Sequence, residues 1–324
     1  MPVIAYRLQP WAFVDRLVFD LCPDGFQLVP LARDASADER ARVFADAEFL
    51  MGSWVTTAVK LTEADFRAAP RLKLLQLMSA GYEHVDLDLA ARYGVPVAHF
   101  GDAMASVVAE HSLLLMLAAF RRLIALDAAV RSGAWRTGEP VVHELRGKRV
   151  GLVGMGFIGR EVALHLRGFR AEVTYFSRTR LSFSGEHSFG VRYVEFDELL
   201  RSSDVVSLHV PLAPSTRGLI GARELALLKP GAVLINTSRG AVVDQLALLS
   251  ALQTGALAAA GLDVLDPEPP LATDTVLQLP NVVFTPHTAG QAEEVWPRIV
   301  HTCFANIQRV ASGEPPRFLA RKLE

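Results

Sequence analysis

A chain of 324 residues, 51% of them hydrophobic and 21% charged, exceeds the size one core usually serves and can bury two. A formal net charge of −2 leaves no basic field of the kind nucleic-acid binding requires. Two cysteines, Cys22 and Cys303, are too few for a disulfide framework and lack metal-ligand spacing, so a reducing cytoplasm is the simplest reading and no metal site is expected.

The first half reads as strands alternating with polar helical stretches. Met1–Tyr6 runs straight into a strand, without the charged-then-apolar order of a signal peptide. Short apolar strands are expected near Val3–Tyr6, Leu28–Leu31, Phe49–Gly52, Leu72–Met78 and Val95–His99, with helices over Ala35–Ala45 and Thr62–Ala68 among them. Such alternation implies a parallel sheet. One long helix is then expected from Ala105 to about Val130. Its apolar run Leu113–Phe120 is too short to span a bilayer and is flanked by Glu110, His111, Arg121 and Arg122.

The most informative segment follows. Arg149–Val153 reads as a buried strand, then come Gly154, Met155, Gly156, Phe157, Ile158 and Gly159, then a helical run over Arg160–Leu166. Strand, three glycines at this spacing and helix together fit a dinucleotide pyrophosphate. Gly154 permits the turn, Gly156 lets backbone approach phosphate, and Gly159 lets the helix pack on the strand. The helix start then offers N–H groups and a positive dipole end. Nearly half the chain precedes this loop, so another domain comes first.

Five further strands are expected near Glu172–Phe176, Val205–Val210, Ala232–Thr237, Ala259–Val264 and Val282–Thr285, six in all with Arg149–Val153, before a last helix over Ala292–Ser312. Ligands of open parallel sheets sit at the carboxyl ends of the strands. Three of these ends carry chemistry: Asn236-Thr237-Ser238-Arg239, then Asp263 with Glu268 five residues on, then Pro286-His287-Thr288.

These segments resemble the D-isomer-specific 2-hydroxyacid dehydrogenase family, and nearest in motif its glyoxylate/hydroxypyruvate reductases. The likeness runs from Leu72 onward: Met78-Ser79-Ala80-Gly81-Tyr82, Ser106-Val107-Val108-Ala109-Glu110-His111, the glycine loop, His209-Val210-Pro211-Leu212, Leu228-Lys229-Pro230-Gly231 and the three strand ends. It implies an α/β protein of two doubly wound parallel-sheet domains. Residues 1–101 with 289–324 would form a flavodoxin-like substrate-binding domain, and 102–288 a Rossmann-type dinucleotide-binding domain. An active site in the cleft and a homodimer through the cofactor domains are implied as well.

A 2-oxo acid carries a carboxylate beside a carbonyl. Arg239, with fixed donors and permanent charge, suits both. After hydride reaches the carbonyl carbon the oxygen needs a proton, which His287 can supply near neutral pH. Glu268 would hold the imidazole and raise its pKa. A lone histidine is more often structural; Arg239 and Glu268 in matching segments reverse that reading for His287. Asp263 resembles the residue that places the nicotinamide amide, or caps a loop. Thr237 and Ser238 fall at the cofactor edge. Ser79, Ala80 and Gly81 would offer backbone N–H groups to the substrate carboxylate. Trp54, Tyr82 and Met104 line the pocket or pack in the core. Glu110 and His111 read as structural. His209 lies at the cofactor edge, where Pro211 points to loop shaping, and Thr216 helps close that loop.

Cofactor choice is read at Tyr175-Phe176-Ser177-Arg178-Thr179-Arg180. NAD enzymes place an acid at the end of this strand. Ser177 replaces it here, and Arg178 and Arg180 follow, which favours NADP over NAD unless the arginines are only a solvated loop. The rival readings are a nucleotide-sensing protein like the C-terminal-binding-protein corepressors, and a formate or phosphite dehydrogenase. Formate dehydrogenases use glutamine where Glu268 stands. Neither nucleic acid nor membrane is an expected partner.

Overall fold

A computed structural model describes residues 1–53, 60–135 and 141–322. The chain divides into two compact units, residues 1–104 with 292–324 and residues 105–291.

The first unit alternates β1 (Val3–Arg7), α1 (Ala12–Asp20), β2 (Gln27–Leu31), α2 (Ala37–Phe44), β3 (Phe49–Gly52), α3 (Glu63–Ala68), β4 (Leu74–Leu77), α4 (Leu87–Arg92) and β5 (Val97–Ala98). Its strands are parallel in the order β2-β1-β3-β4-β5, the flavodoxin-like arrangement. The centre of the sheet is buried on both faces, as a parallel sheet between helices requires: Ile4, Phe49, Leu74 and Leu75 are fully enclosed. Helix α2 starts on a capping box, with Ser36 and Glu39 exchanging side-chain and backbone bonds.

The second unit opens with α5 (Ala105–Phe120) and α6 (Leu123–Arg131). The single helix expected here is therefore two. Arg122 takes a left-handed conformation, φ 49°, between them. No glycine or proline marks the break, but burial does: α5 buries ten residues and α6 none. The sheet follows with β6 (Arg149–Val153), α7 (Phe157–Gly168), β7 (Glu172–Phe176), α8 (Phe183–Phe189), β8 (Val191–Tyr193), α9 (Phe196–Ser202), β9 (Val205–Leu208), α10 (Ala222–Leu227), β10 (Val233–Asn236), α11 (Gln245–Thr254), β11 (Ala259–Leu262) and β12 (Val282–Phe284). The order is β12-β11-β10-β9-β6-β7-β8, all parallel. This is the dinucleotide-fold order with one more strand than the six expected. The strand overlooked is β8, three residues at the sheet edge interrupted by exposed Arg192, too short and too polar for an apolar run to reveal. Helices α5 and α7 cover one face around Leu115, Met116 and Val162. Helices α9, α10 and α11 cover the other around Leu199, Leu225 and Leu248. The last helix, α12 (Val295–Ala311), belongs to the first unit, where Asn306 and Gln76 share a buried hydrogen bond of 2.9 Å.

Among the described residues no helix is long and apolar enough to cross a membrane.

Candidate active site

The glycine loop sits at the switch point of the second sheet, where β6 lies between β9 and β7. Gly154 has φ 101°, and a Cβ there would lie 2.4 Å from the His209 carbonyl, so only glycine lets β9 end against the loop. A Cβ on Gly159 would meet the Gly154 carbonyl at 2.3 Å, whereas one on Gly156 would meet nothing within 4 Å. That open space lies at the start of the twelve-residue α7, whose first N–H groups have no partner within the helix. The open space at Gly156, at the start of α7, fits a pyrophosphate.

The Gly154 N–H donates to the Phe176 carbonyl at 2.9 Å, which ties the loop to the end of β7 and sets Ser177 beside it. Arg178 is exposed. Arg180 is engaged: Nε lies 2.7 Å from Glu186 Oε1, and its guanidinium sits 5.2 Å from the Tyr193 ring centre. At the end of β9, burial pushes the His209 imidazole down to about 4, so it is neutral at pH 7. Neither of its ring nitrogens has a hydrogen-bond partner among the described residues. Thr216 closes the loop after it, donating to the Pro211 carbonyl at 2.6 Å and accepting from Ala213 N–H at 2.8 Å.

Three loops at the ends of β10, β11 and β12 carry the charged groups. Asn236 braces the first. Its Oδ1 accepts from the Ser238 N–H and hydroxyl at 3.0 and 2.7 Å, and its Nδ2 donates to the Arg239 carbonyl at 2.9 Å. Thr237 is tied to Ser112 at 3.0 Å, and Arg239 Nη1 donates to the Ser238 carbonyl at 2.7 Å. A Cβ at Gly240 would fall 1.9 Å from the Leu265 carbonyl, so glycine lets the arginine loop approach the loop that carries Glu268.

His287 Nδ1 stands 2.7 Å from Glu268 Oε2, and the other carboxylate oxygen accepts the Leu265 N–H at 3.0 Å. The Glu268 hydrogen bond raises the His287 pKa above the ordinary imidazole value. Burial opposes it, the Glu268 charge adds to it, the Arg239 charge opposes it and the Asp263 charge adds to it. Burial works against the Glu268 charge, but His287, the Leu265 N–H and Arg239 together hold the carboxyl below its usual range. The pair is only half enclosed, and a cavity of about 460 Å³ opens beside it, walled by Leu265, Leu277, Phe284 and Pro286. His287 itself has φ 55°, a left-handed conformation that a side chain adopts at a cost of order 1–3 kcal/mol. Asp263, 2% exposed, holds it there. Its carbonyl accepts the His287 N–H at 2.8 Å, and its carboxylate accepts the N–H groups of Thr288 and Ala289 at 2.8 and 2.9 Å.

The structure thus brings His287, Glu268 and Asp263 together, with Arg239 within electrostatic reach. In the first unit, Ser79 donates to the Gly81 carbonyl at 2.9 Å and shapes the turn through Ala80. Trp54 lies outside the described residues. Sequence reasoning places Asn236 and Thr285 at strand ends but gives neither a role. An asparagine two residues before a serine at a strand end is a turn signal that could have exposed the first. Thr285 gave no local sign.

A family model described as the D-isomer specific 2-hydroxyacid dehydrogenase NAD binding domain matches residues 113–289. A glyoxylate reductase from Thermococcus litoralis is 40% identical over 261 residues, 78% of this chain and 78% of its own. A solved glyoxylate reductase from Paecilomyes thermophila superposes with a TM-score of 0.86 at 28% identity, covering 98% of both chains. The apo D-mandelate dehydrogenase of Rhodotorula graminis gives 0.86 at 28% identity, over 100% of this chain and 98% of its own.

Proposed function

The chain belongs to the D-isomer-specific 2-hydroxyacid dehydrogenase family, and from that premise we propose that it is an NADPH-preferring reductase of small 2-oxo acids, glyoxylate and hydroxypyruvate first, yielding the (R)-2-hydroxy acid. As a family member it is an NAD(P)-dependent oxidoreductase. The observation that carries the reading is the 2.7 Å His287–Glu268 pair with its raised imidazole pKa.

When bound, the nicotinamide supplies the hydride that reaches the substrate carbonyl carbon. Arg239 binds the substrate carboxylate and draws charge toward the carbonyl oxygen. Glu268 keeps the imidazole charged and oriented through Nδ1, which leaves Nε2 to give its proton to that oxygen. In this reading residues 105–291 bind the dinucleotide, with the Gly154–Gly159 loop on the pyrophosphate and Thr237, Ser238 and Asp263 toward the nicotinamide. Residues 1–104 and 292–324 bind substrate, with Ser79, Ala80 and Gly81 offering backbone N–H groups. The cytoplasm suits the two unpaired cysteines. A screen of 2-oxo acids against NADPH and NADH oxidation, with chiral analysis of the product, tests the assignment. Absence of turnover on every 2-oxo acid would overturn it.

The cofactor preference has its own test. Ser177 stands where an acid would repel a 2′-phosphate, and Arg178 adds positive charge beside it. Arg180, paired with Glu186, follows along the same loop. Hydrogen bonds to charged groups are worth about 1.5–3 kcal/mol, which translates to roughly 10- to 100-fold in kcat/KM for NADPH over NADH. Ser177→Asp combined with Arg178→Ala should invert the ratio. Equal use of both cofactors by the unaltered enzyme would reduce the arginines to a solvated loop.

The proposal includes a homodimer. No residue of helix α6 is fully buried within its own chain, and Leu123, Ile124 and Val130 stand half or more exposed, with Trp135 and Val141 beyond them at 73% and 71%. A second copy covering this face would remove that apolar surface from water. Light scattering should give twice 35.3 kDa, and Ile124→Asp should lower it toward one chain. A monomer in the unaltered protein at micromolar concentration would contradict this.

A further inference from the structure

A histidine held in the left-handed region needs its loop fixed from more than one side, and the fixing reaches back to α5. We propose that His111, acting through Thr285 and Asp263, is a positioning residue that sets where the His287 imidazole stands against Glu268. The proposal rests on the reading of His287 as proton donor.

The hydrogen-bond arithmetic gives the chain a direction. Thr285 has one hydroxyl proton, and its 2.6 Å contact with Asp263 Oδ1 uses it. The 2.9 Å contact between His111 Nε2 and Thr285 Oγ1 is therefore donated by the imidazole. His111 Nε2 and Asp263 Oδ1 stand 3.7 Å apart, too far for a direct bond, so the threonine hydroxyl is the connection. Asp263 passes the restraint on, since the N–H groups of His287, Thr288 and Ala289 all end on it.

The helix that carries His111 is itself seated firmly. A Cβ on Gly261 of β11 would meet Leu115 Cβ at 2.8 Å, so glycine there lets α5 lie directly on the sheet. Strand β11 is flanked by β10 and β12. Consecutive helix residues point about 100° apart. His111 reaches Thr285 at the end of β12, while Ser112 reaches Thr237 at the end of β10, on the way to Arg239. One helix turn thus braces the loops of Arg239 and His287. The charged and titratable groups facing His287 are Glu268, Arg239 and Asp263, with His111 one hydroxyl further back.

Thr285→Val removes the hydroxyl at nearly constant volume, and Thr285→Ser restores it. His111→Phe removes the donor, and His111→Gln returns one at similar reach. Two readouts separate positioning from mere packing. The first is the titration midpoint of the His287 imidazole by NMR, identified as the signal missing from His287→Asn. The second is kcat set against KM. In Thr285→Val and His111→Phe the midpoint should move down toward the ordinary imidazole value, and kcat should fall about 10- to 100-fold, the scale of a small displacement of a reacting group. The cofactor KM should hold, and the serine and glutamine variants should recover both readouts. If Thr285→Val does not fold, His111→Phe carries the test. A lowered melting temperature with midpoint and kcat in place, or losses that serine and glutamine fail to recover, would overturn the proposal. An unaltered enzyme that reduces no 2-oxo acid would sink the assigned reaction instead, and the titration would still report on the relay.

Discussion

Exchange of His287 for asparagine should lower kcat for 2-oxo acid reduction about 100- to 10,000-fold, the usual worth of general acid catalysis. Asparagine is the informative replacement for two reasons. It tolerates the left-handed backbone, φ 55°, better than most side chains do. Its amide can also donate to Glu268 much as the imidazole Nδ1 does, so fold and NADPH affinity should stay close to those of the unaltered protein. Only the transferable proton is lost. The pH dependence follows from the sign of the shift. The His287 pKa is raised, chiefly by the Glu268 hydrogen bond, and reduction uses the charged imidazole. Reduction should therefore hold below the raised pKa and fall as pH climbs through it. Oxidation of the hydroxy acid uses the neutral imidazole and should rise over the same interval. Glu268→Gln removes the carboxylate responsible and should move both limbs to lower pH. Turnover near the unaltered level in His287→Asn would remove this residue from the mechanism.

Much of the second sheet was legible because parallel strands buried on both faces read as unbroken apolar runs, and each run here ends in polar residues at the ligand edge. Six of its seven strands carry that signature; β8, with an arginine between Val191 and Tyr193, does not. The break at Arg122 was hidden for the opposite reason. The sequence stays helical in character across it, and only the change from a buried helix to an exposed one ends α5.

At the site, residues with reactive side chains stand out in the sequence more than the residues that hold them. Arg239, Glu268 and His287 have chemistry written into residue type and strand-end position. Asn236 braces its loop through bonds two and three residues away, but Thr285 and His111 meet across 174 positions of chain, and nothing local announces such a contact. Asp263 reads from the sequence either as a partner of the nicotinamide amide or as a loop cap, and the fold shows the second: its carboxylate and carbonyl hold the loop around His287.

Replacing Arg239 with lysine should lower kcat/KM for 2-oxo acids about 100-fold or more while cofactor affinity changes little. A guanidinium offers a carboxylate a planar pair of donors, and lysine offers a point charge on a flexible stem. Losing one or two charge-assisted hydrogen bonds, each worth about 1.5–3 kcal/mol, gives that range. The substitution also separates two tasks of the arginine. Its positive charge works against protonation of His287, and lysine keeps a charge in the neighbourhood. The alkaline limb of the pH profile should therefore stay close to its original place while the rate falls. Loss of rate with a displaced limb would instead mean that Arg239 acts mainly on the imidazole. The carboxylate clamp makes a second demand, on the unaltered enzyme: small aldehydes without a carboxylate should be poor substrates, and the penalty should shrink in Arg239→Lys because the variant has less clamp to lose. If the unaltered enzyme reduces such aldehydes as readily as 2-oxo acids, Arg239 is not what selects the substrate, and its place beside Glu268 and His287 serves only to balance their charge.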